Sequence, residues 1–540
     1  MNKFPFSFNR VLYTILIFLL GMAFTFYWVK KQNSLTNYSN NNYDKLRDVI
    51  YYINHYYVDT VNNEQISENA IRGILEHLDP HSTYSNTQEN KMQTELLDGA
   101  FEGIGIQFNI MNDTIMVIAA LAGGPSEKAG IKAGDRIVLV DNQQVADVKI
   151  TNEQVINRLR GKKDTQVKIG IVRPNITGIL NFEITRDVIP THSVVSTYMI
   201  NDYTGYIKID QFGAHTADEF ASALITLLDK GMQSLILDLR GNSGGYLDAA
   251  LKITDQFLQK KELILTVKGL HTQSENFYAT GKGLFKDGQL SILIDEFSAS
   301  ASEIVAGAIQ DNDRGNIIGR RSFGKGLVQR PFDFADGSQV RLTVSRYYTP
   351  SGRCIQRDYK NGTTSYYEAL LKRITEDQDS IYAINDTIPQ AEYRTKTGRI
   401  VYGGGGITPD ITISHHKKIY SIDFYEALNN PVIIQFAFNY TNRNKELLEN
   451  NYPSADIFIN KMIIPDLILD EYLKFYAQKN SRKIPSLNFE ESKTLKTWLK
   501  ALIGRNLYQD EAFYPIINRM DEMIQTALNK NCKTNTQPNY

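Results

Sequence analysis

The stretch Leu237-Asp-Leu-Arg-Gly-Asn-Ser-Gly-Gly245 (LDLRGNSGG) decides how the central part of the chain folds. It ends an apolar run, SLILDLR, that is typical of a buried strand, and an apolar spacing typical of a helix follows over residues 246–259. A glycine-rich turn between a strand and a helix presents backbone N–H groups at the helix amino terminus, where they bind an anion or an oxyanion well. The same turn satisfies G-x-S-x-G, with Ser243 in the position of an activated serine.

Apolar strands and helices alternate on both sides of this turn, between residues 194 and 348, which indicates an α/β core. The strand candidates are TGYIKID, SLILDLR, ELILTVK, LSILIDE and GNIIGR. The helix candidates span residues 218–230, 246–259 and 302–310. We therefore expect a core over residues 188–413, interrupted by a polar insertion at residues 361–399 that is poor in strand signals.

A second segment, Ser298-Ala-Ser-Ala-Ser-Glu-Ile304 (SASASEI), lies between the predicted strand SILIDE and a predicted helix. Three serines at alternate positions cannot all point the same way, so we expect at most one to reach a substrate carbonyl. Ser302 would then cap the helix or lie in its first turn, with Glu303 placed favourably near the helix dipole. The alternative is that all three serines act only as caps.

A third segment, Gly319-Arg-Arg-Ser-Phe-Gly-Lys-Gly326 (GRRSFGKG), nearly matches the phosphate-binding pattern G-x-x-x-x-G-K-[ST]. Gly326 stands where that pattern needs a hydroxyl, and a strand instead of a helix follows, so we expect no nucleotide site. A lysine that is desolvated by burial has a lowered pKa, and Lys325 would then act as general base to a serine. Gln329 lies on the same face of the following strand, where it would orient the amine.

Together these segments resemble the carboxyl-terminal processing peptidases, also called tail-specific proteases, over roughly residues 43–410. The motifs occur in the order of that family, with 25 positions between Ser300 and Lys325. The resemblance implies an α/β core of the ClpP/crotonase type, with Ser300 as nucleophile, Lys325 as general base and Gln329 as the partner of the lysine. It also implies a serine endopeptidase that cleaves proteins near their carboxyl end through an acyl-enzyme.

The resemblance further implies an oxyanion hole made of two backbone N–H groups, those of Gly244 and Ala301. Gly245 is the alternative for the first donor. Two functions of other kinds stay open on the residues alone. One is a PDZ scaffold at the membrane without catalysis, and the other is an α/β-hydrolase esterase that uses Ser243. The esterase needs a downstream histidine, for which the candidates are His271, His415 and His416.

Residues 99–187 consist of short β-branched runs broken by glycine, with one helical stretch at residues 152–160. This pattern resembles a PDZ domain, which implies that a loop captures the terminal carboxylate of a substrate while the peptide pairs with a strand edge. The loop residues are Gly103, Ile104, Gly105 and Ile106. A tight strand turn is the alternative for this loop. The resemblance also implies that the domain gates the protease, with Arg160 as the candidate that relays its state to Gln329.

The amino terminus carries a targeting signal, because residues 11–29 (VLYTILIFLLGMAFTFYWV) are an uncharged run with basic residues on both sides. This length crosses a bilayer, and the run ends in bulky residues instead of a small-residue cleavage site, so we predict a retained single-pass anchor. Residues 1–10 are then cytoplasmic, residues 30–42 a linker and residues 43–98 a helical region. We expect the catalytic part to face the periplasm or the cell exterior.

The carboxyl-terminal part of the chain departs from the resemblance. The family typically carries little beyond the GGGGITPD stretch, found here at residues 403–410, whereas this chain adds about 130 residues with helical spacing. We predict an extra helical domain over residues 414–540. Homo-oligomerisation, binding of an adaptor and shielding of the active site are the roles left open for it.

Composition argues against several other classes of function. A formal net charge of −1 and a pI near 6.7 give no electrostatic footprint for nucleic acid. The two cysteines, Cys354 and Cys532, provide neither a disulfide framework nor a thiolate site, and the eight histidines show no metal-binding spacing. We therefore expect no metal and no other cofactor. The expected partners are proteins or peptides with free carboxyl-terminal tails.

Overall fold

The computed structural model of this protein describes residues 18, 21, 22, 25, 42–121, 123–173, 176–375, 391–414 and 420–534. The chain divides into two compact units, Met1–Ile74 and Leu75–Tyr540. In the first unit, helix α1 spans Asn42–Tyr56, and helix α2, Asn63–Glu76, extends across the boundary. Both helices carry the apolar spacing from which the sequence predicts them.

The predicted anchor at residues 11–29 lies outside the described residues, apart from Phe18, Gly21, Met22 and Thr25. In the described part of the chain, no helix has both the length and the apolar character needed to cross a membrane. Residues 1–10 and the linker also lie outside the described part, except for Asn42, which begins α1. These assignments therefore stay predictions.

The second unit begins with strand β1, Thr83–Ser85, and helix α3, Thr87–Asp98. Asn86 caps α3, because its side chain accepts from the N–H of Glu89 and the Glu89 carboxylate accepts from the N–H of Asn86. Gly99 ends the helix at a φ of 72°, a conformation that glycine adopts without strain. The chain leaves this sharp end directly into a β module.

Residues 100–190 form the β module that the sequence predicts at residues 99–187. Its elements are β2 Ala100–Gly103, β3 Ile106–Met111, β4 Thr114–Ala120, α4 Pro125–Ala129, β5 Arg136–Val140, β6 Gln143–Gln144, α5 Asn152–Leu159, β7 Gln166–Val172, β8 Leu180–Thr185 and β9 Asp187–Pro190. The main sheet is antiparallel in the order β3-β4-β5-β7-β8, and β6 pairs with β5. Fully buried aliphatic side chains such as Ile115, Val117 and Ile137 fill its core. β2 pairs with β9 and so brings the two ends of the module together.

The core that follows contains two large sheets, a separate pair of strands (β19 and β20) and the helices between them. Its elements are β10 Val194–Met199, β11 Thr204–Ile209, α6 Thr216–Asp229, β12 Ser234–Asp238, α7 Leu247–Asp255, β13 Leu263–Lys268, β14 Glu275–Tyr278, β15 Gln289–Ile294, α8 Ala301–Asp311, β16 Asn316–Gly319, β17 Leu327–Asp333, β18 Gln339–Tyr348, α9 Gly362–Thr375, β19 Glu392–Arg394, β20 Ile400–Tyr402 and β21 Ile411–Thr412. The larger sheet has the order β10-β11-β12-β15-β16-β21, in which β10 is antiparallel to β11 and the other pairs are parallel. The smaller sheet has the order β1-β18-β13-β14, with β17 also paired with β18. Parallel strands that alternate with helices confirm the predicted α/β core.

The predicted insertion at residues 361–399 has more regular structure than its polar sequence suggests. Helix α9 occupies its first part, and β19 pairs with β20 near its end. Tyr366 on α9 is buried, and its hydroxyl lies 3.1 Å from Nε2 of His81. This contact adds tertiary packing to a helix whose run Glu-Ala-Leu-Leu-Lys-Arg consists of good helix formers, a signal that the prediction of a polar insertion did not use. Residues 376–390 lie outside the described residues.

The chain ends in a group of helices, as the sequence predicts for residues 414–540. They are α10 Ile422–Asn429, α11 Val432–Arg443, α12 Lys445–Asn451, α13 Ala455–Lys461, α14 Asp466–Asn480, α15 Phe489–Tyr508, α16 Asp510–Ile517, a 3₁₀ turn at Asn518–Met520 and α17 Glu522–Thr534. Phe436, Phe458 and Tyr472 belong to a buried cluster that these helices form among themselves. We call residues 420–534 the C-terminal segment; residues 415–419 and 535–540 lie outside the described part.

Helix α17 differs from the other C-terminal helices because it packs on the larger sheet of the core. Met523, Ile524 and Ala527 of this helix form one buried cluster with strand residues, which are Tyr206, Ile236, Leu293 and Ile318. The opposite face of the same sheet packs against α6, α7 and α8. The sheet is thus covered on both faces, as a mainly parallel sheet requires, and the C-terminal segment supplies part of one cover.

Candidate active site

The three sequence motifs converge at one edge of the larger sheet. Strands β12 and β15 are parallel neighbours, so the chain leaves both of them at the same edge. β12 leads into residues 241–245, which we call the glycine turn, and β15 leads into the serine-rich segment. The N–H of Ala299 donates to the carbonyl of Asn242 (3.0 Å) and joins the two segments directly. The GRRSFGKG segment leaves the neighbouring parallel strand β16 at this edge as well.

Two of the three alternate serines are bonded to the chain around the glycine turn. Ser298 Oγ donates to the carbonyl of Leu239 (2.8 Å), and Ser302 Oγ donates to the carbonyl of Asn242 (2.9 Å). Both serines are fully buried, whereas Ser300 is half-buried at the start of α8. Ser300 has a φ of 54° and a ψ of −110°, a conformation that is strained for a residue with a Cβ and that clusters at functional sites. Ser300 is therefore the serine left for a substrate.

Lys325 is oriented by Gln329 in a largely desolvated position. Its Nζ donates to Oε1 of Gln329 (3.0 Å), and Nε2 of Gln329 donates to the carbonyl of His81. Burial lowers the pKa of the lysine, and the positive charge of Arg341 lowers it further, which favours the neutral amine that a general base needs. Within the part of the chain that the structure describes, no hydrogen bond joins Lys325 to Ser300.

The fully buried carboxylate of Glu303 connects the serine to the lysine, a role that sequence reasoning missed. Oε2 accepts from the N–H groups of Ser300 (2.9 Å) and Lys325 (2.8 Å). Oε1 accepts from the N–H of Gly324 (2.7 Å) and from the hydroxyl of Ser322 (2.5 Å). Burial raises the pKa of Glu303, although these four donors act to lower it. The signal in the sequence is the S-x-x-E spacing at residues 300–303, which is typical of a capping box.

Tyr347, buried on β18, bonds the same two residues from the smaller sheet. Its hydroxyl lies 3.2 Å from the carbonyl of Ser300 and 2.8 Å from the carbonyl of Lys325. Burial raises the pKa of this phenol well above its usual value, so the hydroxyl keeps its proton and donates it. No local pattern identifies Tyr347, because its role depends on the pairing of distant strands.

The predicted oxyanion hole lies next to Ser300. A Cβ at Gly244, where φ is 107°, would lie 2.8 Å from Cβ of Ser300, so glycine is what lets the turn approach the serine. The N–H of Gly244, however, donates to Oδ1 of Asn242 (2.9 Å). The N–H groups of Gly245 and Ala301 have no hydrogen-bond partner among the described residues. The occupied donor favours Gly245 over Gly244 as the first member of the hole.

Ser243, the nucleophile of the alternative esterase, is exposed in the glycine turn. Its hydroxyl has no hydrogen-bond partner in the described part of the chain, and the hydrogen bonds of the described histidines go to other residues. His271 is exposed, and His415 and His416 lie outside the described residues. Among the described residues, no histidine is hydrogen-bonded to Ser243.

The predicted carboxylate-binding loop connects β2 to β3. Gly103 ends β2 and Ile106 begins β3. The carbonyls of Ile104 and Gly105 accept backbone hydrogen bonds of 3.0 and 2.9 Å, which hold the loop in place. β3 is an edge strand of its sheet, so its outer side can pair with a peptide.

Arg160 follows helix α5 and contacts α3 instead of Gln329. Its guanidinium forms an ion pair with Glu95 on α3 and lies over the ring of Phe101, 4.6 Å from the centroid. The side chain of Gln329 is bonded elsewhere, to the lysine and to the main chain. The predicted relay from Arg160 to Gln329 is therefore not a direct contact in this structure.

Four segments of the chain match known families. Residues 203–368 match peptidase family S41, and residues 116–173 match a PDZ domain. Residues 23–90 match the N-terminal domain of the activating protease CtpB. Residues 424–509, in the C-terminal segment, match a family of unknown function.

Two similar proteins agree with these matches. The carboxy-terminal processing protease CtpB of Bacillus subtilis is 35% identical over 317 residues, which cover 58% of this chain and just under two thirds (65%) of that protein. The carboxy-terminal-processing protease of Bartonella bacilliformis is 35% identical over 335 residues, which cover 61% of this chain and 76% of that protein. A solved structure described as the photosystem II D1 C-terminal processing protease is 28% identical and covers 59% of this chain and 84% of that chain, with a TM-score of 0.34. The chain therefore belongs to the carboxy-terminal processing proteases of peptidase family S41, as the three motifs predict.

Proposed function

We propose that this protein is a serine endopeptidase that cleaves other proteins near their carboxyl end, with Ser300 as nucleophile and Lys325 as general base. The observation that carries the proposal is the buried carboxylate of Glu303, which holds the main chain of both residues together. The hydroxyls of Ser298 and Ser302 are engaged in hydrogen bonds, which leaves Ser300 for the reaction. The lowered pKa of Lys325 fits the role of base.

In the proposed reaction the neutral amine of Lys325 takes the proton of the Ser300 hydroxyl as Oγ bonds to the scissile carbonyl carbon. The N–H groups of Ala301 and Gly245, with Gly244 as the alternative to Gly245, hold the oxyanion that forms. Loss of one such donor costs about 3 to 4 kcal/mol in a serine protease. The carbon–nitrogen bond then breaks, and Lys325 gives its proton to the leaving amine. Water that Lys325 deprotonates finally hydrolyses the acyl-enzyme.

The hydrogen bond from Nζ of Lys325 to Gln329 orients the amine for the first proton transfer. A neutral amine keeps two donor hydrogens and one lone pair, so it can donate to Gln329 while the lone pair faces Ser300. Proton transfer then requires that substrate binding bring Nζ and Oγ within hydrogen-bonding distance, as often happens when an empty site closes on its substrate. Gln329 would thus set the direction of the lone pair.

We propose that the PDZ domain binds the carboxyl-terminal tail of the substrate. The N–H groups of the loop at residues 103–106 would hold the carboxylate, and β3 would pair with the tail. Arg160 stays our candidate for relaying the state of this domain. Its partner Glu95 lies on α3, and Asp98 at the end of that helix accepts from the hydroxyl of Tyr246 (3.0 Å), directly after the glycine turn. Helix α3 therefore offers a route to the oxyanion hole.

Other parts of the proposal come from the sequence. They are the membrane anchor at residues 11–29, an extracytoplasmic catalytic part, and homo-oligomerisation or adaptor binding through the C-terminal helices. Catalysis without a metal or other cofactor is also a proposal. Among the described residues there is no group of three or more His, Cys, Asp or Glu side chains placed to hold a metal ion.

The test is cleavage of an unfolded protein with an apolar carboxyl tail by the purified full-length chain. We expect Ser300→Ala and Lys325→Ala to abolish cleavage, whereas Ser243→Ala, a matched control in the adjacent turn, keeps at least about half of the rate. EDTA at constant pH should not change the rate. Full activity of Ser300→Ala would contradict the proposal. Loss of activity only in Ser243→Ala would favour the esterase, and tail binding without cleavage by the wild type would favour the PDZ scaffold.

A further inference from the structure

The glycine turn is tied to the C-terminal segment by one ion pair. Arg240 directly precedes the turn, and its Nη1 donates to Oδ2 of Asp521 at 2.5 Å. Both side chains are mostly buried, with 19% and 22% of their surface exposed. The two residues stand 281 positions apart in the sequence. This pair is therefore a contact that the core makes with the last helices of the chain.

Arg240 also bonds a carboxylate inside the core, so its guanidinium is held from two sides. Nε and Nη2 donate to Asp238 at 3.0 and 2.7 Å, and Asp238 also accepts from the hydroxyl of Tyr206 (2.8 Å). Burial alone would raise the pKa of Asp238, but Arg240 and Lys208 hold it well below its usual range. The planar guanidinium thus has a fixed orientation between Asp238 and Asp521.

The position of Arg240 passes to the glycine turn through the main chain. The next N–H, that of Gly241, donates to Oδ1 of Asp295 (3.0 Å). Further along the turn, Gly244 packs directly against Ser300. A shift of Arg240 would move the N–H groups that are proposed to hold the oxyanion, and a misplacement of about 1 Å in such a site costs roughly a hundredfold in rate.

Asp521 is itself held by the helix that follows it. Oδ1 accepts from the N–H groups of Met523 (2.9 Å) and Ile524 (3.2 Å), so one oxygen caps α17 while the other bonds Arg240. The positive end of the helix dipole favours the negative charge at this position. Met523 and Ile524 are buried against the larger sheet. The carboxylate is therefore anchored to the same sheet from which the glycine turn leaves.

We propose that Asp521 is a positioning residue for the reaction, which holds the glycine turn in its oxyanion-binding place through Arg240. This inference rests on the proposed function, since it assigns a further residue to the same site. Asp521 acts on Arg240 and does not contact the substrate. The C-terminal segment then has a defined role, because the oxyanion hole is complete only when α17 lies on the sheet.

The variant Asp521→Asn separates the two roles of this side chain. Asparagine keeps one acceptor oxygen, which can still cap α17, but an NH₂ group then stands in place of the oxygen that accepts from Arg240, so both the charge and that hydrogen bond are lost. We expect kcat for cleavage of a tail-bearing protein to fall about tenfold while KM changes less than about twofold, because the glycine turn acts in the transition state. Asp521→Glu, which keeps the charge, should recover part of the lost rate.

The matched control is Asn488→Ala, which removes a helix cap elsewhere in the C-terminal segment. The Asn488 side chain accepts from the N–H of Glu491 (3.0 Å) at the start of α15, and its bonds stay within that segment. We expect this variant to lower the melting temperature at least as much as Asp521→Asn does. Its kcat should stay within about twofold of the wild type.

Three outcomes would overturn the inference. Unchanged kcat in Asp521→Asn, with an active wild type, would remove the role of Asp521 and leave the proposed function standing. An equal loss of kcat in Asn488→Ala would show that general instability of the segment, and not the ion pair, causes the effect. Absence of cleavage by the wild type would overturn the proposed function and this inference with it.

Discussion

Two carboxylates hold the two halves of the proposed active site, and they reach it from different parts of the chain. Glu303 lies inside the core, fully buried, and bonds the main chain of Ser300 and Lys325. Asp521 comes from the C-terminal segment, is partly exposed (22%), and bonds Arg240 beside the glycine turn. The half with the nucleophile and the base is thus built into the core. The half that is proposed to hold the oxyanion contacts a segment outside the core.

The two contacts differ in how easily they can be lost. Glu303 follows Ser300 by three positions on one helix, so local geometry brings its carboxylate to the serine N–H. Two of its four donors, on Ser322 and Gly324, are buried and the other two are partly buried, and a buried donor that loses its acceptor costs about 1 to 3 kcal/mol. Asp521 reaches Arg240 only when α17 packs on the sheet, and solvent weakens a partly exposed ion pair. If our proposal holds, the oxyanion half is the part of the site that a change in the C-terminal segment disturbs.

Lys325→Met should give the largest effect, because it removes the base but keeps a side chain of similar length. We expect cleavage to fall at least about a thousandfold. Stability at neutral pH should rise, since the variant no longer buries an amine whose pKa burial lowers. Cleavage rates and urea unfolding measure the two effects. This result would show that burial of the Lys325 amine lowers the stability of the folded protein while it provides the base for the reaction.

The stability difference between wild type and Lys325→Met should depend on pH in a definite direction. Between the lowered pKa of the lysine and its usual value of 10.5, the unfolded wild type binds more protons than the folded form does. Wild-type stability therefore rises with pH in this window. The advantage of the variant should shrink as the pH approaches 10.5, the usual lysine pKa. A variant that is less stable than the wild type at neutral pH would contradict this account.

Glu303→Gln should have the next largest effect. The amide would present an NH₂ group to two of the four donors that now meet a carboxylate oxygen. We expect a loss of about 2 to 4 kcal/mol in the free energy of unfolding and at least about a hundredfold loss of cleavage. Glu491→Gln is the control, because Glu491 has the same capping-box position in α15, and it should keep its activity. A greater loss of activity in Asp521→Asn than in Glu303→Gln would reverse the ranking of the two halves.

Arg341→Met should change the pH dependence of cleavage, whereas a variant of the oxyanion half should not. Burial is the main cause of the lowered pKa of Lys325, and the charge of Arg341 adds to it. Without that charge the pKa rises, so a higher pH is needed to free the amine, and the acid limb of the pH–rate profile should move to higher pH. Asp521→Asn should leave the midpoint in place while it lowers the plateau. If this midpoint shifted in both variants, or in neither, the assignment of Lys325 and Asp521 to two separate halves of the site would be wrong.

Tyr246→Phe should have the smallest effect, because it removes one partly exposed hydrogen bond, from its hydroxyl to Asp98 on α3. We expect a loss of about two- to fivefold with a substrate that carries a free carboxyl tail. A short peptide without a free carboxylate should show no loss, if α3 conveys the state of the PDZ domain to the glycine turn. Equal losses with both substrates would show that Tyr246 affects only the glycine turn and does not transmit the state of the PDZ domain.

The sequence predicted the parts of the site that depend on short-range patterns. Apolar periodicity, together with glycines that mark turns, predicts that Ser300 lies between a strand and a helix. The same patterns predict that Lys325 precedes a strand. The helix in the insertion at residues 361–399 was not predicted, although its run Glu-Ala-Leu-Leu-Lys-Arg consists of good helix formers and Tyr366 beside that run is buried. Glu303 left a readable signal, the capping-box spacing.

The family, the order of the motifs and the alternation of strands and helices can all be read from the amino-acid sequence, since each of these depends on residues close together in the chain. The N–H groups of the glycine turn that are available for an oxyanion are known only from the three-dimensional structure, in which the side chain of Asn242 accepts from the N–H of Gly244. The bond of Arg240 to Asp521, which joins residues 281 positions apart, is also visible only in the three-dimensional structure. Such contacts produce no recognisable pattern in a single sequence, because they form when elements that are distant in the chain pack together.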